Sequence, residues 1–156
     1  MQQSVDISNN NPKSFDNALT EGSVEFRVPS DPKILKIIRD GISHLCELQG
    51  FSSDEGKSIM LAVDEACSNI IKHTYAGANN CPIIVSCSMI DNGVKVVLRD
   101  FGAKVNQKQL RSRELDDIRP GGLGVHLINS VMDEVMYDEK CSDGNRLTLV
   151  RYLRQK

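Results

Sequence analysis

The sequence predicts an α+β two-layer sandwich: a mixed, largely antiparallel sheet covered on one face by helices. Three observations carry this. Two long stretches with 3.6-residue apolar periodicity, one closing at Gly50 and one running to about Tyr75, follow a short alternating segment. Two further alternating segments flank Asp91-Asn92-Gly93, a hairpin turn signal. A helical segment and two short strands finish the chain, and 156 residues with 40% hydrophobic content suffice for one core.

In order, residues 1–22 are rich in Ser, Asn, Gln and Asp, contain Asn9-Asn10-Asn11-Pro12, and read as a flexible arm before a folded domain over 23–156. Val24, Phe26 and Val28 alternate with polar residues and predict the first strand. Ser30-Asp31-Pro32 opens a helix whose apolar side is Ile34, Leu35, Ile37, Ile38, Ile42, Leu45 and Cys46. Ser52-Ser53-Asp54-Glu55 starts the second helix. Its core stripe is Met60, Val63, Cys67, Ile70, Ile71 and Thr74. After the loop 78–82, strands run through Ile83–Ile90 and Val94–Arg99. The stretch from Phe101 to Pro120 is polar and weakly patterned, with one short helix around Gln107–Arg113, and reads as a functional lid or a disordered segment. Gly121-Gly122-Leu123-Gly124 opens a third helix, with Val125, Leu127, Ile128, Val131 and Met132 as its apolar side. Strands at Glu134–Asp138 and Arg146–Leu153, joined by a turn at 142–145, complete the order.

Composition excludes several classes. A net charge of -2 leaves no basic field for nucleic acid or an anionic membrane. Aromatics are 4% with no Trp, which argues against base-stacking surfaces. No apolar run approaches the roughly 18–20 residues of a membrane span, and the N-terminus lacks a signal-peptide pattern. The five cysteines are scattered without a CxxC pair and read as small buried hydrophobes in a reducing cytoplasm.

The chemistry concentrates in three places. On the second helix, Glu65, Asn69 and His73 are spaced i, i+4, i+8, opposite the core stripe, with Lys72 beside them. Ala62 and Ala66 lie between them, small enough for a ligand to approach. Asp100-Phe101-Gly102 ends a strand with a carboxylate able to accept from an exocyclic amine, although taken alone it reads first as a strand-ending turn. Gly121-Gly122-Leu123-Gly124 at a helix start frees backbone N–H groups for an anion. Together they fit a nucleotide. Two lookalikes fail. The chain has no HRD-type loop or N-terminal glycine loop to make Asp100-Phe101-Gly102 a eukaryotic-type kinase signature. Gly56-Lys57 lacks the spacing of a phosphate-binding P-loop.

In these motifs the sequence resembles the anti-sigma-factor serine/threonine kinases of bacterial partner-switching systems, within the GHKL superfamily of ATPases that includes histidine kinases, gyrase B and MutL. The resemblance spans roughly residues 22 to 153 and rests on three ordered motifs. Residues Glu65 to Tyr75 are similar to the N box, Asp100-Phe101-Gly102 to the first glycine box, and Gly121 to Ile128 to the second. The resemblance implies a Bergerat (histidine kinase-like ATPase) fold binding ATP with Mg²⁺. Glu65 would be the general base for an incoming serine hydroxyl, and Asn69 the Mg²⁺ ligand. Asp100 would accept the adenine amino group, with Gly102 making room for the base. Gly122 and Gly124 would contact phosphates, with Lys72, His73 and Arg119 as cationic neighbours. Two positions depart from the family pattern: Ala103-Lys104 continues the first glycine box, and Gly144-Asn145 stands where a Gly-Thr is usual.

The implied function is phosphorylation of a small STAS-type anti-anti-sigma antagonist, with sequestration of a sigma factor, by a homodimer in the cytoplasm. Two alternatives remain open from the residues. One is an ATP-gated binding module without phosphotransfer; the other is a detached ATP-binding domain of a histidine-kinase relay. A DNA-binding role has least support.

Overall fold

The computed structural model describes residues 23–106 and 123–155. The arm expected over 1–22, the short helix expected at Gln107–Arg113, and the candidate residues Arg119 and Gly122 lie outside the described residues.

Strand β1, Ser23–Pro29, leads through a 3₁₀ turn at Pro32–Ile34 into helix α1, Leu35–Gln49. Asp31 caps that turn by accepting from Lys33 N at 3.0 Å. Its neighbour Ser30 is buried instead, accepting from Cys81 N at 3.1 Å and donating to Ala78 O, so it pins the loop before β2. Helix α2, Ser53–Asn69, begins with the expected start signal made into a full capping box. Ser52 Oγ accepts from Glu55 N, and Glu55 Oε2 accepts from Ser52 N. The last turn of this helix does not stay α-helical. Ile70–Thr74 winds as a π turn, with Tyr75 N donating to Ile70 O at 2.9 Å.

Strands β2, Pro82–Ile90, and β3, Gly93–Asp100, form the hairpin that Asp91-Asn92 predicts. Helix α3 spans Leu123–Val131, β4 Glu134–Tyr137 and β5 Asn145–Tyr152. The spatial order is β1-β2-β3-β5-β4. Every pairing among the described residues is antiparallel, so the parallel component that a mixed sheet allows is absent there. Each neighbour is reached by a hairpin or by a helical excursion that returns the chain reversed.

Register sorts the side chains. Val85, Leu98 and Leu147 lie opposite one another across three strands and are buried under the helices. One residue along, Ile84, Arg99 and Arg146 occupy the uncovered face. Helices α1 and α2 pack together, and α3 packs on α2 and β4. Several of the expected stripe residues join this core, while Ile34, Met60 and Thr74 stay half-buried, with Ile59 buried in place of Met60, and Ile37 stays outside it. Ile37 is 56% exposed, because it lies on the side of α1 turned away from the buried Leu35, Ile38 and Ile42.

Candidate active site

The end of helix α2 is where the site is assembled. Glu65 and Asn69 stand one turn apart on α2 and are half-buried. Ala62 and Ala66, expected to leave space for a ligand, are 0% and 3% exposed. They are core residues, packed within the hydrophobic cluster between the helices and the sheet. A Cβ on Gly124, in the first turn of α3, would overlap Glu65 Oε1. The structure therefore places the Glu65 carboxylate directly against the start of a helix, where backbone N–H groups and the positive end of the helix dipole gather.

The π turn changes the third member of the expected row. An α-helix would set His73 one turn beyond Asn69, but from Ile70 onward the winding is i to i+5. Lys72 and His73 are exposed on this turn, and among the described residues no hydrogen bond or ion pair joins either to Asp100 or Gly124. What the π turn does position is Tyr75. Its hydroxyl accepts from Phe101 N at 2.9 Å and donates to Pro82 O at 2.6 Å. One phenol thus ties the end of the α2 segment to the start of β2 and to the turn after β3.

Asp100 closes β3, 3% exposed, with both Gly102 N (3.1 Å) and Asn145 Nδ2 (2.9 Å) donating to its Oδ1. Burial pushes its carboxyl above the ordinary aspartate range, and the side-chain and backbone amides of Asn145 and the amide of Gly102 partly oppose that rise. Gly102 has a reason beyond room for a base: a Cβ there would overlap Thr74 Cγ2 and crowd Tyr75. The glycine lets the turn after β3 lie on the π turn. Arg99 sits over the Phe101 ring, 5.0 Å from its centroid, and donates to Asp143 O at 2.7 Å.

The α2 segment thus touches both other motifs: Glu65 meets Gly124 in α3, and Thr74 and Tyr75 meet the turn after Asp100. Sequence reasoning missed the bonding roles of Tyr75 and Asn145. Tyr75 stood in a quoted motif without a role, and a single exposed-looking Tyr gives no sign of two backbone partners 7 and 26 residues away.

These residues fit a nucleotide. A buried carboxylate with donors on one oxygen suits an amine, and Gly124 lets the Glu65 carboxylate reach the helix start. For a metal, no cluster of three or more His, Cys, Asp or Glu occurs among the described residues. A site with Asn69 as the protein ligand suits Mg²⁺, which keeps waters and binds substrate phosphates. No described helix is long and apolar enough to cross a membrane.

An antiparallel sheet with three helices on one face, and an N-box-like helix joining an aspartate turn to a glycine-led helix, define the histidine kinase-like ATPase class. Residues 28–151 match that domain family, the histidine kinase-like ATPase domain. The chain belongs to this family, within its branch of serine-protein kinases. It is 30% identical over 146 residues to the serine-protein kinase RsbW of Staphylococcus aureus strain bovine RF122 / ET3-1, covering 87% of this chain and 90% of that protein. RsbW of S. aureus strain MRSA252 gives the same figures. Among solved structures, the RsbU and RsbW domains of Rv1364c from Mycobacterium tuberculosis superpose with a TM-score of 0.62 at 15% identity. That match covers 86% of this chain and 33% of the longer one, and it shows the fold alone.

Proposed function

We propose that the chain is an ATP-dependent protein serine/threonine kinase and anti-sigma factor that phosphorylates a STAS-type anti-anti-sigma antagonist. The single observation that carries the reading is the place of Glu65: a half-buried carboxylate on the N-box helix, in contact with the glycine-led start of α3. When bound, ATP supplies the γ-phosphoryl group and Mg²⁺ neutralises charge on the phosphates. Asn69, one turn beyond Glu65, is the residue to hold the metal. Asp100 accepts from the base amine, and Gly122 and Gly124 contribute backbone N–H groups to the phosphates. Lys72, His73 and Arg119 are the cations that would offset their charge.

A serine hydroxyl is a weak nucleophile that must lose its proton as its oxygen bonds to phosphorus. Glu65 accepts that proton while the bond from phosphorus to the leaving ADP oxygen breaks. Phosphate on the antagonist adds about two negative charges and separates it from the kinase. The kinase, as a homodimer in the cytoplasm, is then free to hold a sigma factor.

The experiment is phosphotransfer from radiolabelled ATP with Mg²⁺ to a partner captured by pull-down, comparing wild type with Glu65→Gln. The expected outcome is label on a partner serine or threonine that falls about 10²–10⁴-fold in the variant while ATP binding persists. Tight ATP binding with no transfer by wild type would make the chain a nucleotide-gated binding module instead.

A further inference from the structure

Asn145 occupies the position where the family pattern carries a hydroxyl, and all of its amide groups are in use. Its Oδ1 accepts from Val105 N at 2.9 Å. Its Nδ2 donates to Asp100 Oδ1 at 2.9 Å and to Ala103 O at 2.8 Å. The Val105 N–H fixes which way the amide points: an oxygen must face it, so the nitrogen must face Asp100 and Ala103. A hydroxyl has one hydrogen to donate and could not serve both acceptors. Asn145 is thus a three-way clip between β5 and the turn from Asp100 to Val105.

The surroundings hold the clip in place. Asn145 pairs with Asp100 in the β3–β5 register. The preceding Gly144 has φ +71, and a Cβ there would overlap Asp100 O, so the loop before β5 passes close to the end of β3. Lys104 Nζ donates to Cys141 O, and Arg99 to Asp143 O, stitching the same two segments from either side. The other family departure, Lys104, therefore belongs to the same junction.

We propose that Asn145 is a positioning residue for base selection: its carboxamide holds the Asp100 carboxylate and the turn after it in the orientation that reads an exocyclic amine on a purine. The inference rests on the ATP reading above and deepens it. The Gly102 amide and the Asn145 carboxamide both donate to Oδ1, and the Asn145 backbone amide acts on the same carboxylate, so it is held before a ligand arrives and a purine with a 6-amino group gains a fixed acceptor. A purine with hydrogen or oxygen at that position gains nothing from it.

The test measures the affinity of the full chain, with Mg²⁺, for ATP and for the triphosphates of the 6-oxo and 6-hydrogen purine ribosides. Wild type, Asn145→Ala and Asn145→Thr are compared, with circular dichroism to verify folding. Wild type should prefer the 6-amino nucleotide by tenfold or more, the size of one charge-assisted hydrogen bond. In Asn145→Ala, ATP affinity should fall about tenfold while the 6-hydrogen nucleotide stays within about twofold, collapsing the preference. Asn145→Thr, restoring one donor, should recover part of it. Equal losses for all three nucleotides, or none for any, would overturn the inference and leave ATP binding intact. Wild type that binds no nucleotide would overturn the ATP reading itself.

Discussion

Asp100 carries a consequence that belongs to single residues. Its carboxyl lies above the ordinary value of 3.8, chiefly because burial disfavours its charge. Between that ordinary value and the raised one, the folded chain holds a proton that the unfolded chain has released. The contribution of Asp100 to stability therefore falls as pH rises through this window, and its cost is complete above it. Amine recognition runs the other way, since it needs the ionised acceptor. Affinity for ATP should thus fall as pH drops, beginning at a higher pH than an ordinary aspartate would give. An affinity profile measured against Asp100→Asn, which has no such titration, checks this; parallel profiles would count against Asp100 as the acceptor. Glu65 belongs to the same scale, and Glu65→Gln keeps its shape while removing its basicity.

At the scale of elements, the contact between α2 and α3 is the sensitive joint. Gly124 meets the end of a flexible carboxylate side chain, so an added methyl displaces Glu65 more readily than it strains the backbone. Gly124→Ala should therefore lower phosphotransfer about a hundredfold, the effect of misplacing a reacting group by about 1 Å. It should cost stability no more than about 1–3 kcal/mol, read as a melting shift of about 2–4 °C per kcal/mol. A large melting shift with unchanged turnover would show that the glycine serves packing alone. The π turn is the other joint. The expected Glu65, Asn69, His73 row assumed one helical period to the end. The change of winding at Ile70 belongs to the tertiary structure, where Tyr75 reaches Phe101 and Pro82.

Over the whole molecule, the helices cover one face of the sheet, and three cysteines lie inside that layer. Burial pushes the thiol of Cys46 up to about 11 and those of Cys67 and Cys87 to about 12. A thiol reagent applied to the native protein should label half-buried Cys81 first and reach these three only on unfolding. Mass spectrometry of labelled peptides checks the order, and rapid native labelling of Cys67 would contradict the core described here. This part was legible in advance, because Cys67 and Cys87 sit in apolar patterns that periodicity reveals. Element order, the capping box at Ser52 and Glu55, the hairpin at Asp91-Asn92 and the three ordered motifs were legible for the same reason. Each is set by residues within a few positions of one another, where helical and strand spacing dictate which side chains share a face. The tertiary structure alone decided the rest: that Ala62 and Ala66 are core residues, that Gly124 rests on Glu65, that Tyr75 joins two motifs, and that Asn145 clips Asp100. Those facts depend on which distant segments come into contact, and local periodicity holds no record of contacts made across the sheet.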